Sequence, residues 1–95
     1  MKEITVTQQN TNDEEWQFDV TVASDSTTHH AVTLNKEYWS KLTNQTTPPE
    51  ELIRQSFKFL MSRESNESIL RKFDLKVIQT YFPEYENEIK SIKSN

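Results

Sequence analysis

The stretch WQFDVTVASDSTTHHAVTL, residues 16–34, decides the fold, because apolar side chains occupy every second position at both of its ends. Successive side chains of a β-strand point to opposite faces, so this alternation is typical of two strands that each bury one face. The polar segment SDSTT, residues 24–28, supplies the turn between them. The alternating apolar positions are Trp16, Phe18, Val20, Val22, Val32 and Leu34.

A third strand precedes this pair. EITVTQ, residues 3–8, places Ile4 and Val6 on one face, and QNTNDEE, residues 9–15, forms the connecting turn. We therefore predict an α+β fold whose N-terminal part, residues 1–34, is a three-stranded antiparallel meander with one face exposed to solvent.

The apolar period changes at Asn35. This residue is placed to cap a short helix, KEYWSKL, residues 36–42. Thr47 as the cap and Pro48 as the first helical residue predict a longer helix that runs to about Arg63. Its apolar stripe is wide enough to contact the sheet on one side and later helices on the other.

The C-terminal segment is predicted to contain short helices separated by polar residues and a proline. Asp74 is placed to cap the helix LKVIQTYF, residues 75–82, and Pro83 ends that helix and opens a last one. Residues 35–95 are thus predicted to be the helical part, packed on one face of the sheet, and residues 1–95 to form a single domain. A short turn before Asp74 contains Ile69, Leu70 and Phe73.

The stretch SFKFLMSRESNESILRKFDLKVIQTYFPEYE, residues 56–86, resembles the C-terminal part of a group of short, uncharacterised bacterial proteins. The likeness lies in the general texture of this segment and covers about a third of the chain. It implies a bacterial cytoplasmic protein, and it implies no catalytic residue.

The composition excludes several kinds of site, because the chain contains neither cysteine nor glycine. Disulfides and thiolate metal sites need cysteine, and P-loops, dinucleotide fingerprints and nucleophile elbows need glycine. The N-terminus has no continuous apolar run, and no segment reaches the roughly 20 apolar residues that span a bilayer. We therefore expect a cytoplasmic protein without a membrane partner.

The segment DSTTHH, residues 25–30, is the one cluster with metal-ligand chemistry. Two imidazoles and the carboxylate of Asp25 suit zinc or nickel. His29 and His30 are adjacent, however, and adjacent strand residues point to opposite faces. We therefore predict one histidine at the surface, one at the edge of the core, no metal site and no cofactor.

Paired carboxylates occur in DEE, residues 13–15, and at Glu84, Glu86 and Glu88. General acid–base catalysis needs two carboxylates in different environments within a pocket, whereas these runs are expected to be solvated. Neither histidine is accompanied by a glycine-framed serine. The sequence predicts no catalytic residue, and we expect that the protein is not an enzyme.

Residues 54–76 form a locally basic segment, with six basic and three acidic side chains in a chain of net charge −4. Phosphate contacts need such basic groups on one surface. The overall negative charge disfavours nucleic acid as a partner, so binding of nucleic acid or another polyanion is our second hypothesis. The candidate contacts are Arg54, Lys58, Arg71, Lys72 and Lys76.

The first hypothesis is a non-catalytic protein–protein interaction or regulatory module with an unidentified protein partner. A homodimer through a sheet edge is also open. The segment DLKVIQTYFPEYENEI, residues 74–89, places a proline between aromatic rings and raises the question of recognition most directly. We predict that it is first a core layer against the 48–63 helix and only secondarily a recognition surface.

Overall fold

The computed structural model describes residues 3–91, which form a four-stranded sheet and four α-helices and confirm the α+β class. The strands are β1 (Glu3–Thr11), β2 (Glu15–Ala23), β3 (Thr27–Asn35) and β4 (Lys72–Asp74). The helices are α1 (Lys36–Thr43), α2 (Pro49–Met61), α3 (Val77–Tyr81) and α4 (Tyr85–Ser91), and a single 3₁₀ turn at Asn66–Ser68 precedes β4.

The prediction of a three-stranded sheet is wrong by one strand. β1, β2 and β3 form the expected antiparallel meander, and β4 adds to the outer side of β3 in parallel, with Val32 beside Phe73. The part predicted to be helical, residues 35–95, therefore contributes a strand to the sheet, and Phe73 lies in that strand rather than in a turn. Because β4 has only three residues, it shows no period-two alternation that sequence analysis can detect.

The meander buries one face, as its alternation predicts. Phe18, Val20 and Val22 of β2 are buried, whereas Gln17 and Asp19 between them are exposed. The turn between β1 and β2 contains no glycine and is closed instead by an asparagine side chain. Its Oδ1 atom, on Asn12, accepts hydrogen bonds from the backbone N–H groups of Glu14 and Glu15 at 2.8 and 2.9 Å.

The first two helices begin in different ways. Asn35 caps α1 as predicted, since its Oδ1 accepts a hydrogen bond from the Tyr38 backbone N–H at 3.0 Å. The predicted Thr47 cap is wrong, because α2 begins at Pro49 and its cap position, Pro48, makes no side-chain hydrogen bond. α1 ends at Thr43, and the capping residue that follows, Asn44, has a positive φ of 54°, the left-handed conformation that glycine usually adopts at this position.

Helix α2 forms the centre of the core and has neighbours on both sides, as its wide stripe predicts. Phe57 faces the sheet, and the centroid of its ring lies 5.3 Å from that of His30 and 6.1 Å from that of Phe73. Phe59 faces the C-terminal helices and lies 5.2 Å from the ring of Tyr85. The sheet and the last two helices are therefore joined through one helix.

The last two helices form the predicted core layer, with a change at the start of the first. Asp74 Oδ1 accepts a hydrogen bond from Lys76 N at 3.2 Å, so it closes the turn that leads into α3. The helix itself begins at Val77 rather than at residue 75. It ends at Tyr81, and Phe82 has a non-helical conformation, as expected for a residue before proline.

Candidate functional site

An apolar groove of about 360 Å³ lies between the end of α2, the segment from the 3₁₀ turn to β4, and α3. We call it the β4–α3 groove. All but two of its lining side chains are apolar or aromatic, and the polar two are Glu64 and Ser68. The apolar and aromatic ones are Leu60, Ile69, Leu70, Phe73, Val77, Ile78, Tyr81 and Phe82.

Two large side chains of this groove are left in water. Leu70 is 48% exposed and Tyr81 is 65% exposed, and within residues 3–91 they are the large hydrophobic residues that the fold exposes. Fully burying a leucine side chain stabilises a fold by about 1.5–3 kcal/mol, and the fold leaves about half of that gain unused at Leu70. A single exposed apolar residue is ordinary, but two that line one groove make this groove the candidate site.

The Leu70 wall is held in place by buried hydrogen bonds. His30 Nδ1 lies 2.8 Å from the Leu70 carbonyl oxygen, and since a carbonyl only accepts, this nitrogen carries the proton and donates. His30 Nε2 then accepts from Thr28 Oγ1 at 2.8 Å, and Asn66 Nδ2 donates to Thr28 Oγ1 at 3.0 Å. The backbone at Leu70 is thus fixed to β3 while its side chain remains exposed.

The histidine pair is divided between the two faces of the sheet. His29 is exposed and lies 3.1 Å from Thr21 Oγ1, whereas His30 is only 1% exposed and lies within the core rather than at its edge. Burial lowers the pKa of His30 from its usual 6.5, and the positive charge of Arg71 adds to this effect against the opposing hydrogen bond to Leu70. Across residues 3–91 no three His, Asp or Glu side chains are grouped to hold a metal ion.

The α3 wall is held by the corner between α3 and α4. Gln79 Nε2 donates to the Pro83 carbonyl at 2.7 Å, and Gln79 Oε1 accepts from the Glu86 backbone N–H at 3.0 Å. Below this corner Tyr85 is fully buried, with its hydroxyl 2.6 Å from Ser56 Oγ. Burial raises the pKa of Tyr85, so its phenol stays protonated. Hydrogen bonds therefore hold both the Leu70 side and the α3 side of the groove in place.

The five predicted basic contacts separate into two groups. Arg71, Lys72 and Lys76 are exposed along β4 and the turn into α3, and none of them belongs to an ion pair within the described part of the chain. Arg54 and Lys58 lie on α2 instead, beside the start of β1. β1 and β4 are opposite edges of the sheet and, at about 4.8 Å per strand, are roughly 14 Å apart.

A second depression, beside β1, has a different character. Its volume is about 470 Å³, and its lining includes Glu3 together with Arg54 and Lys58. Arg54 is also 3.4 Å from Glu51, so part of its charge is already paired. With charges of both signs and no aromatic lining, this depression offers less to an apolar ligand than the β4–α3 groove does.

Glu84 and Glu88 are exposed, as predicted, and Glu86 is partly buried, and all three also contact other elements of the fold. Arg63 pairs with Glu84 at 3.2 Å and with Glu88, and its guanidinium lies 3.7 Å from the centre of the Phe59 ring. A backbone hydrogen bond and the bond from Arg63 lower the pKa of Glu84. Glu86 accepts a hydrogen bond from the Tyr38 hydroxyl at 2.9 Å. These contacts connect α4 to α2 and α1.

No protein-family model, curated protein or solved structure matches this chain. The resemblance of residues 56–86 to short bacterial proteins stays a prediction. Between Glu3 and Ser91 no helix has the length and apolar character needed to cross a membrane. The chemistry of the β4–α3 groove is therefore the basis for a functional interpretation.

The sequence points to one side of this groove only. The segment 74–89 is predicted to be first a core layer and secondarily a recognition surface, and Tyr81 within it is exposed in the groove, while its role in recognition stays a prediction. The sequence predicts only that Leu70 lies in a turn. No local pattern marks it, because its place in the groove depends on β4 joining the sheet.

Proposed function

We propose that this protein is a non-catalytic interaction or regulatory module of the bacterial cytoplasm that binds a protein partner through the β4–α3 groove. The observation that carries the proposal is the exposure of Leu70 and Tyr81 on opposite walls of one apolar groove. A few residues at the centre of an interface supply most of its binding energy, and tyrosine is enriched among them, so Tyr81 is the principal anchor and Leu70 extends its apolar surface.

The lining of the groove supports binding rather than catalysis. General acid–base chemistry needs two titratable groups in different environments at the reacting atoms. Here Glu64 is the single carboxylate among the lining residues, and the remaining polar side chain is the hydroxyl of Ser68. The volume of about 360 Å³ is at the small end of the roughly 300–1,000 Å³ range of ligand pockets, which suits a large apolar side chain of a partner.

The test compares three forms of the immobilised protein against an extract of its source cells. The groove variant carries Leu70→Glu and Tyr81→Glu. The control variant carries Gln17→Glu on the exposed face of β2 and Asn87→Glu on α4, which gives the same change in charge at exposed positions away from the groove. We expect a partner that the wild type and the control retain equally and that the groove variant loses.

Thermal melts followed by circular dichroism accompany this comparison. Both replaced groove residues are exposed, so the groove variant should melt close to the wild type. A partner that the folded groove variant retains as well as the wild type does would contradict the proposal.

Polyanion binding is the second candidate, and it rests on Arg71, Lys72 and Lys76, which are exposed on one edge of the sheet. Three contacts support only a weak, salt-sensitive interaction. A homodimer through a sheet edge likewise remains a proposal, with β1 and β4 as the two available edges.

A further inference from the structure

We propose that the partner of the β4–α3 groove is an extended, acidic segment that binds by adding a strand to β4. One apolar side chain of this segment enters the groove, and an acidic side chain next to it lies beside Lys72. This inference rests on the proposed function and specifies the conformation and chemistry of the partner.

The outer edge of β4 is free to accept a strand. In the parallel ladder, the Arg71 carbonyl accepts from Ala31 N at 2.7 Å and Leu75 N donates to the Thr33 carbonyl at 2.9 Å. Alternate residues of a strand turn their peptide groups to opposite sides, so those of Lys72 and Asp74 face away from β3. In the part of the chain that the structure describes, no strand pairs with that side.

The groove lies where the side chains of an added strand would point. Phe73 is paired with the buried Val32 and lines the groove, whereas Lys72 is paired with the exposed Ala31 on the solvent face. Paired strands keep their side chains in register across a sheet. The residue of the added strand beside Phe73 therefore enters the groove, and its two neighbours lie on the solvent face.

The charge of this edge selects an acidic neighbour. Lys72 is exposed on the solvent face, and Arg71 and Lys76 flank it without ion pairs among the residues described. Asp74 lies on the same face of β4, two residues after Lys72. Its negative charge disfavours an acidic residue in the added strand at the position beside it. The favoured partner segment thus has an apolar residue at its centre. An acidic residue precedes or follows it on the side of Lys72, and a neutral or basic residue lies on the side of Asp74.

The other edge of the sheet is less suited to this mode of binding. β1 is nine residues long, but its register against β2 shifts between Gln8 and Asn10 and leaves Gln9 unpaired, as in a β-bulge. Bulges twist an edge and hinder the pairing of a further strand. The depression next to β1 is lined by charges of both signs. An apolar groove beside a free strand edge is found at β4 instead.

The experiment selects peptides from a random phage-displayed library on the full chain. The selected peptides are then synthesised and their affinities measured by fluorescence anisotropy. We expect them to combine an apolar and an adjacent acidic residue, to lose binding to the Leu70→Glu, Tyr81→Glu variant, and to bind the Gln17→Glu, Asn87→Glu control normally. Lys72→Glu should weaken them about threefold to tenfold, since exposed ion pairs contribute modestly.

Amide hydrogen exchange of the complex tests the strand itself. On strand addition the backbone N–H groups of Lys72 and Asp74 gain partners, so their exchange should slow, and a peptide N-methylated at the residues that pair with them should bind much more weakly. Some peptides could lose binding to the Leu70→Glu, Tyr81→Glu variant and yet leave the exchange of the Lys72 and Asp74 amides unchanged. That result would overturn the strand addition but would still support the proposed function.

Two other outcomes have separate meanings. If no peptide binds the wild type better than the groove variant, both the strand addition and the groove as an interaction site are overturned. Sedimentation equilibrium of the protein alone tests a second copy as the occupant. If the wild type is a dimer and the groove variant is a monomer, the proposal of an acidic partner would be overturned and the groove would be assigned to self-association.

Discussion

His30 is a buried imidazole in which both ring nitrogens are engaged, one with Leu70 and the other with Thr28. Its neutral form fits this network, because Nε2 accepts and Nδ1 donates. His30 shares a buried face of β3 with Val32 and Leu34, in keeping with the alternation of the strand. Its bond to a carbonyl forty residues away was beyond prediction, because nothing local in the sequence specifies which backbone group approaches a strand.

The lowered pKa of His30 predicts that the protein loses stability in mild acid. In the unfolded chain the imidazole binds a proton near pH 6.5, whereas the native state resists protonation to a lower pH. The stability from neutral His30 is therefore complete above about pH 6.5 and is lost as the pH falls from there toward the native pKa, with a slope of at most about 1.4 kcal/mol per pH unit.

Urea denaturation between pH 7 and pH 5 measures this slope. We expect His30→Gln to lower the free energy of unfolding at pH 7 and to flatten its dependence on pH, whereas His29→Gln on the exposed face keeps the wild-type slope. The same slope in His30→Gln and the wild type would contradict the assignment of the acid sensitivity to His30.

The buried pair of Tyr85 and Ser56 predicts an asymmetry between two substitutions. Ser56 Oγ donates to the Leu52 carbonyl at 2.8 Å, so the Tyr85 hydroxyl is the donor of the 2.6 Å bond between the pair. Tyr85→Phe leaves Ser56 with a partner and should cost about 0.5–1.5 kcal/mol, whereas Ser56→Ala leaves a buried hydroxyl without one and should cost about 1–3 kcal/mol.

A double-mutant cycle with urea melts tests this asymmetry. The double variant Tyr85→Phe, Ser56→Ala should be more stable than the sum of the two single effects predicts, because it leaves no unsatisfied hydroxyl. Equal costs for the two single variants, with strict additivity, would mean that the hydroxyl of Tyr85 finds another partner.

Helices and strands differed in how well their sequence predicted them. The cap at Asn35 and the wide stripe of α2 depend on residues a few positions apart, so their patterns are visible in the sequence. β4 exists because Lys72–Asp74 pairs with a strand some forty residues earlier, and three residues carry no pattern of their own. The groove was hidden for the same reason, since β4 forms part of its wall.

Helix α3 predicts a contrast between two of its own residues. Ile78 is 3% exposed and belongs to the core, whereas Tyr81 one turn later is exposed in the groove. Ile78→Ala should therefore cost about 2–5 kcal/mol of unfolding free energy, and Tyr81→Ala should change it by no more than about 0.5 kcal/mol.

Melts of these two variants decide between a core layer and a recognition surface for α3. With both effects as predicted, Ile78 supports the fold and Tyr81 does not, which leaves the Tyr81 ring available for binding. A large loss of stability in Tyr81→Ala would mean that this ring supports the fold, and the groove would lose one of its two anchors.

At the scale of the whole molecule, charge separates the two functional hypotheses. The sequence places five candidate basic residues within 23 positions, and from that spacing they could have formed one surface. The fold puts Arg54 and Lys58 beside β1, and the other three along β4. The two groups are separated because β4 joins the sheet at the edge opposite β1. The sequence alone did not show that β4 is a strand, so it did not show this separation either.

This division predicts weak binding to nucleic acid. Three phosphate contacts correspond to a salt dependence with a slope of only about −2 to −3 in a plot of log affinity against log salt concentration, and the net charge of −4 opposes the approach of a polyanion.

We expect fluorescence anisotropy with single-stranded DNA at low salt to give a dissociation constant weaker than about 100 µM. Reversing Arg71, Lys72 and Lys76 to Glu should abolish this residual binding, whereas Arg54→Glu with Lys58→Glu should leave it unchanged. Micromolar binding that also requires Arg54 and Lys58 would mean that both edges of the sheet contact one polyanion, and the polyanion hypothesis would then displace the apolar groove as the function of this molecule.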